Sequence, residues 1–550
     1  MKMIELSNSD FKLFINENKY YVDKTLLIEE LFNKGSEVTL LPRPRRFGKT
    51  LNLSMLKYYF DISENNKDLF KELKIEKSNI FEKHLNKYPT IFLTFKEIKG
   101  KSWNKIYGDF KFAISKLYEE HSYLLESDKL TPFNKDIISK IIKEEGSIQH
   151  YENSLKILSE YMCKHYEKKV VILLDEYDTI LNDIYDKEIY DNIINFMKIF
   201  IGSAFKGNEY LFKGVITGIL RISKESMFSG ANNILVRTIL DNDFADKFGF
   251  TEDEVLEILK YYNLESRIKE VREWYNGYTF GDNVIYNPFS IVNYVQSRSL
   301  EAYWVNSGNT QLIENLLFNS AISIKEDLED LIKGKKIKAE IESNIIFGGL
   351  DNSKYLWSLL LFSGYLKCTN LYENVYTLEI PNKEVKNCYR SIMKSFFAKV
   401  SKDPLKIVDA IKEGNIELFK KGIEWIIMNI SSNQDLISEN SYHNMLIGLL
   451  AYLYNEYEVK SNRESGNGRY DLAIIPYDKN RLAYIIEIKI LDKEDKEDKL
   501  KKVAEDAIKQ IEEKRYTTEL LNRGIKNILA LGIAFQGKKI FILDKKTRDI

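Results

Sequence analysis

The sequence predicts a multidomain α/β protein: a mostly parallel sheet covered by helices on both faces, a largely helical middle, and a second, smaller α/β unit. Three observations predict it. At 550 residues the chain exceeds what one hydrophobic core supports, so three or four packed units are expected. Through residues 1–240, four β-branched runs alternate with long amphipathic segments: EVTLL (37–41), TIFLTF (90–95), KVVILLDE (169–176) and LFKGVITGI (211–219). That is the pattern of parallel strands joined by crossover helices. From residue 401 the chain begins helical and then gives YDLAIIP (470–476) and AYIIEIKI (483–490). The charged segment DKEDKEDKLKK, a helix through AIKQIEEK, and the runs NILALGIAF and KIFIL follow.

Between these parts, residues 245–400 carry helical periodicity, starting at FGFTEDEVLEILKYYN, where Thr251 and Glu254 are spaced for a capping box. LWSLLLFSGYLKC and VYTLEIPNKEV read as a buried helix, then a short strand and a turn. There is no internal repeat and no long Pro/Gly/Ser linker. With 81 basic and 82 acidic side chains nearly cancelling, no global charge draws the chain to nucleic acid, so any such contact needs a local basic groove. The runs VVILL and LLLF fall far short of the roughly 18–20 apolar residues that cross a bilayer, and the polar opening MKMIELSNSDFKLF lacks the apolar stretch of a leader. Cys163, Cys368 and Cys388 are too scattered for a disulfide framework. A cytoplasmic protein without membrane partners is expected, and abundant Lys, Ile, Asn, Glu and Tyr point to an AT-rich bacterial genome.

The run EVTLL is followed by PRPRRFGKT and then by a helical pattern. Backbone N–H groups around Gly48 and at the helix N-terminus can surround phosphate oxygens. Lys49 can reach the β/γ-phosphates of ATP, and the Thr50 hydroxyl can ligate Mg2+. In the strict glycine-rich motif another glycine stands where this chain has Arg43, and Pro44 brings no N–H. Arg43, Arg45 and Arg46 can line phosphate or nucleic acid, or be solvated. Gly-Lys-Thr alone recurs by chance, but KKVVILLDEYD adds a buried run ending in Asp175 and Glu176. Asp175 can hold Mg2+ through its water shell, and Glu176 can orient and deprotonate an attacking water. A third run ends near Thr217, placed to sense a γ-phosphate. Arg221 follows and can offset transition-state charge, within the chain or across the interface of a homo-oligomer, or sit as a surface arginine.

The C-terminal section holds a second constellation. Glu487 and Lys489 stand two apart in a β-run and share a face, while Ile486 and Ile488 point the other way. If YDLAIIP and AYIIEIKI pair as a hairpin, Asp471 approaches that face. Two carboxylates suit Mg2+, which would polarise a phosphodiester, with Lys489 positioning the nucleophile or offsetting charge. Glu-x-Lys alone carries little, since Glu97-Ile98-Lys99 repeats it with no Asp strand in front. Here a helix bearing Gln510 and Lys514 on one face follows. Five scattered histidines offer no pair at ligand spacing, and His443 reads as packing.

YYVDKTLLIEEL, LPRPRRFGKT, VVILLDEYD, GILRIS with FSGANN, and FGFTEDEV together resemble the bacterial AAA-ATPase-like proteins that carry a C-terminal PD-(D/E)XK nuclease-like domain. GRYDLAI, EIKI and AIKQIEEKRY match the nuclease part. The resemblance covers most of the chain, and Arg43 in place of glycine is usual within it. It implies an AAA/STAND-like P-loop core (1–240), a helical lid (241–320), a winged-helix or linker element (321–400) and a PD-(D/E)XK nuclease-like domain (401–550). It further implies nucleotide contacts from residues 45–50, that is Arg45, Arg46, Phe47, Gly48, Lys49 and Thr50, with Tyr21 and Asp23 near the adenine. Asp471, Glu487 and Lys489 become the catalytic set, with Gln510 as support and Glu464 as a weaker metal candidate. The expected function is an ATP-gated, Mg2+-dependent nuclease acting on nucleic acid, DNA rather than RNA. The alternative is a STAND-like switch or DNA-remodelling ATPase whose nuclease-like domain only binds nucleic acid.

Overall fold

The computed structural model describes all residues except 6–8, 182–186, 222–232, 307–326, 329, 333, 344–352, 401–403, 430–438, 454–455, 493–498 and 547–550. The chain divides into two compact units, Met1–Leu316 with Lys333–Lys386, and Leu317–Ile332 with Asn387–Ile550.

The first unit is built on a five-stranded sheet of β1 (Val38–Pro42), β2 (Thr90–Thr94), β3 (Val170–Asp175), β4 (Leu211–Gly218) and β5 (Ile234–Val236), in the order β2-β3-β4-β1-β5. All four pairings are parallel. Every residue of β1 and β3 is buried. Because alternate side chains leave opposite faces of a strand, both faces of the sheet are covered, as parallel sheets require. The covering helices include Lys49–Phe60, Trp103–Glu120, Ser154–Tyr166 and Lys187–Phe205. The chain runs from β1 outward to β2 and returns through β3 to β4, which lies against β1. Strand order therefore switches between β1 and β4, and ligands bind at the carboxyl ends of strands at such a switch.

After β5, the short strands β6 (Phe250–Thr251), β7 (Tyr278–Phe280) and β8 (Asn283–Tyr286) form an antiparallel sheet in the order β6-β8-β7. The helix Glu252–Tyr261 starts with a full capping box, Thr251 Oγ1 accepting from Glu254 N while the Glu254 carboxylate accepts from Thr251 N. A third sheet joins β9 (Ile337–Glu340), β10 (Lys367–Tyr372) and β11 (Val375–Glu379), with the helix Ser353–Phe362 leading into β10. The sequence indicated one strand here, and the structure has a hairpin, β10–β11, with β9 added to it.

The second unit holds β12 (Tyr457–Ser465), β13 (Gly468–Pro476), β14 (Ala483–Ile490), β15 (Ile528–Gln536) and β16 (Lys539–Lys546) in sequential order. Only the β14–β15 pair is parallel, and the helix Lys499–Glu513 makes its crossover. One face of the sheet, with Leu472, Ile474, Ile486 and Ile488, packs in a core shared with Phe419, Ile423, Leu446 and Leu450 from the helices Ile416–Asn429 and Glu439–Leu450. The other face, with Ala473, Ile475, Ile485 and Ala530, meets Ile508 and Ile511 of the crossover helix. Among the described residues no helix is long and apolar enough to cross a membrane.

Candidate functional site

Between β1 and the helix Lys49–Phe60 the chain passes through left-handed conformations at Arg46 (φ 70°) and Gly48 (φ 84°). Gly48 is the helix N-cap, and no side chain caps that end. A Cβ built on Gly48 meets nothing within 4 Å, so open space lies beside this uncapped helix N-terminus, the kind of place that receives phosphate. Lys49 is only 4% exposed, and its Nζ donates to the carbonyls of Arg43 (2.9 Å) and Pro44 (3.0 Å). Burial lowers its ammonium pKa, opposed by the nearby charges of Glu176, Asp175 and Asp178.

Asp175 closes β3 and is almost wholly buried. Thr50 Oγ1 donates to its Oδ2 at 2.7 Å and Thr217 Oγ1 to its Oδ1 at 2.6 Å. The sheet order explains the meeting. Since β4 lies between β1 and β3, Thr217 near its end stands between the glycine loop and the β3 carboxylate. Leu174 pairs with Ile216, which makes Asp175 and Thr217 the next neighbours along the strands. Glu176 follows in a left-handed conformation (φ 52°), uncommon for a residue with a side chain and most often found at turns and functional sites.

Sequence reasoning missed Asp178, whose only signal was a third acid shortly after Asp175 and Glu176. It is buried, accepts from Ile219 N (2.8 Å) and Leu220 N (2.9 Å), and is pushed up to about 6 by burial. Tyr177 OH donates to Leu220 O at 2.6 Å. The two residues grip the turn after β4 so closely that a Cβ on Gly218 would lie 2.6 Å from Asp178 Oδ1 and 2.7 Å from the Tyr177 ring. Arg221, next along, is half-buried, which lowers its guanidinium, with Tyr177 and Asp241 acting the other way. FSGANN lies, except for its last residue, outside the described residues.

The other candidates divide. Arg43 neither lines phosphate nor is solvated: it is fully buried, donates to the carbonyls of Pro42, Arg237 and Phe244, and burial lowers its guanidinium to about 9. The Arg46 guanidinium lies over Phe289 at 5.0 Å. Phe47 turns its ring into a cluster with Tyr278 (5.1 Å) and Phe280 (5.2 Å), leaving its backbone to the loop. Arg45 is half-buried. Tyr21 packs on Phe11 and Phe14. The Asp23 carboxylate accepts from Thr25 N, Thr25 Oγ1 and Lys74 N, and so braces local turns.

In the second unit β13 and β14 do pair as a hairpin, with Leu472 opposite Ile486. The same register sets Asp471 opposite Glu487 on the face away from Ile486 and Ile488. Glu487 is 2% exposed. Lys489 Nζ donates to Glu487 Oε1 at 3.1 Å, and Gln510 Nε2 donates to the same oxygen. Asp471 Oδ2 accepts from Ile488 N at 2.7 Å, and burial pushes its carboxyl up. His443 is buried, with Nε2 3.0 Å from the Asp471 carbonyl, the packing role its sequence context indicated. Gln510 reaches Glu487 because Gly532, paired with Glu487 on β15, lets the crossover helix close in. A Cβ there would lie 2.3 Å from Ala504 O. The side chain of Glu464 lies outside the described residues. Among the described residues no group of three or more His, Cys, Asp or Glu is placed to hold a metal; of these residues, the pair Asp471 and Glu487 could offer carboxylate oxygens to an ion.

Comparison with known proteins agrees with both halves. Residues 6–228 match the family model described as "Predicted AAA-ATPase", and residues 437–545 match that of the PD-(D/E)XK nuclease superfamily. The chain is also similar, at 25% identity over 380 residues, to an "Uncharacterized protein in vnfD 5'region" of Azotobacter chroococcum mcd 1. That alignment covers 68% of this chain and 66% of the relative, just under two thirds of its length. The chain therefore carries an AAA-ATPase-like domain followed by a domain of the PD-(D/E)XK nuclease superfamily.

Proposed function

We propose that the protein binds and hydrolyses ATP with Mg2+ at the first site and cleaves DNA with Mg2+ at the second, nucleotide occupancy licensing cleavage. The division into core, lid, winged-helix element and nuclease-like domain at about residues 240, 320 and 400, and a cytoplasmic location, belong to the same proposal. The observation that carries it is the buried Asp175 carboxylate shared by the hydroxyls of Thr50 and Thr217 beside the open space over Gly48. Hard oxygen donors and uncapped N–H groups suit a magnesium triphosphate.

Bound ATP would supply the phosphoanhydride whose hydrolysis drives the change. Lys49 exchanges its two loop carbonyls for β/γ-phosphate oxygens. Thr50 and Asp175 would hold the ion, with Thr217 orienting Asp175. Glu176 takes the proton of the attacking water, and Arg221 offsets charge on the transferred group. Tyr21 and Asp23 shape the base-proximal wall through the packing they brace. At the second site Asp471 and Glu487 would hold Mg2+, which would supply Lewis-acid activation of the phosphodiester; Lys489 positions the nucleophile, and Gln510 fixes the Glu487 carboxylate.

Hydrolysis and cleavage assays on single variants test this. Lys49→Ala is expected to abolish ATP hydrolysis. Lys489→Ala is expected to retain hydrolysis and lose DNA cleavage in Mg2+ or Mn2+, while wild-type cleavage rises with ATP and favours DNA over RNA. Full-rate cleavage by Lys489→Ala removes the assigned site. A wild type that binds DNA and cleaves neither nucleic acid under any of these conditions leaves the switch or remodelling function in its place.

A further inference from the structure

Arg43, Arg45, Arg46 and Phe47 are each held from outside the parallel sheet by the segment Arg237–Trp304 that follows β5, and Pro44 is met by Gly364 beyond it. Arg43 donates to the Arg237 and Phe244 carbonyls and stacks on Phe248 (5.1 Å) and Phe280 (5.5 Å). Pro44 packs against Gly364, where a Cβ would come within 3.1 Å of it. The Arg45 carbonyl accepts from Trp304 Nε1 at 2.9 Å. Arg46 lies over Phe289, and the Phe47 carbonyl accepts from Gly249 N at 3.1 Å. Trp304 is itself fixed. Its backbone N–H donates to Glu384 Oε1 at 2.6 Å, the other oxygen of that buried carboxyl accepts from Ser290 Oγ at 2.8 Å, and its ring meets Tyr365 at 5.1 Å.

A glycine-rich phosphate loop gains its shape from free backbone torsions. Here an arginine and a proline occupy the first half, and the shape comes from these outside contacts. We propose that Trp304 is a positioning residue of the nucleotide loop, so that nucleotide binding at Gly48, Lys49 and Thr50 and the packing of the segment from Arg237 to Trp304 are thermodynamically linked. The inference rests on the assignment of that loop to a nucleotide. Linkage of this kind is reciprocal: whatever loosens Trp304 from the Arg45 carbonyl weakens nucleotide binding, and bound nucleotide tightens the segment. The position of Arg43 acquires a physical reason as well, because glycine there would surrender three hydrogen bonds and two ring contacts that seat the loop.

Trp304→Phe keeps a ring in the cavity and deletes the N–H. Loss of one neutral hydrogen bond is worth about 0.5–1.5 kcal/mol, which is roughly a two- to tenfold weaker binding of ATP, read as a raised KM with kcat unchanged. A parallel experiment uses the unaltered full chain: amide exchange in peptides covering Phe244, Gly249 and Trp304 should slow on adding ATP with Mg2+. Saturable binding by the wild type, with no change in exchange in those peptides, overturns the linkage. So does a Trp304→Phe protein that melts like the wild type and binds ATP equally well. No saturable binding by the wild type overturns the nucleotide assignment itself, and this inference falls with it.

Discussion

A hydroxyl from the first turn of the helix Lys49–Phe60 and one from the end of β4 meet one carboxylate at Asp175, and each removes part of the cost of burying it. Thr217→Val keeps the shape and deletes the donor to Oδ1. A buried charge short of one donor costs about 1–3 kcal/mol, so urea denaturation should show a loss of that size, and Thr217→Ser should recover most of it. Glu384 gives a pH prediction. Burial lifts its carboxyl from an ordinary 4.5 to about 7. Between those values the folded protein binds more protons than the unfolded chain, so this group makes stability fall as pH rises through the window, then level off. Asp178 slopes the same way up to about 6, so the measurement is a difference: Glu384→Gln should melt with a shallower pH dependence than the wild type between about 4.5 and 7. Equal slopes would remove Glu384 as their source.

Elements meet closely at several glycines, Gly218 and Gly532 among them. Gly218 ends β4 under Tyr177 and Asp178, and Gly532 in β15 lies under the crossover helix backbone. Overpacking at such places costs about 1–3 kcal/mol. Gly532→Ala should in addition slow cleavage while leaving ATP hydrolysis unchanged, because it pushes away the helix that brings Gln510 to Glu487; wild-type cleavage by this variant would dissociate Gln510 from the site. Strands β3 and β15 were legible because burial on both faces gives the unbroken apolar runs VVILL and ILALGIAF, and β14 because its two charged residues, Glu487 and Lys489, fall on one face of an otherwise apolar run. Strand β12 was not legible, because YEVKSNRES has only Tyr457 and Val459 as apolar residues among polar and charged ones and reads as an exposed loop without its neighbour β13. Asp175 with Thr50, and Glu487 with Lys489, were legible because strand ends and strand period place them. Trp304 and Glu384 were not. Their partners lie 259 and 80 residues away, and no local pattern announces a contact of that span. Arg43 was misjudged for the same reason, since an arginine in a loop looks solvated until the carbonyls that receive it are known.

The whole chain brings together two sites of different chemistry, each built within its own unit: a glycine turn with a shared aspartate in the first, and an Asp–Glu–Lys hairpin in the second. The family matches at residues 6–228 and 437–545 agree with that order. In the proposed function, control of the second site depends on the first. Equilibrium titration of a labelled ATP analogue tests that first site most directly, with the wild type, Lys49→Ala and Asp175→Asn compared with and without Mg2+. In the proposed site each variant would remove a charge-assisted interaction with the magnesium triphosphate, worth about 1.5–3 kcal/mol. The wild type is therefore expected to saturate in a Mg2+-dependent manner, and both variants to bind at least about tenfold more weakly. Binding that does not saturate, or that is the same in all three proteins, would contradict a nucleotide site at Gly48.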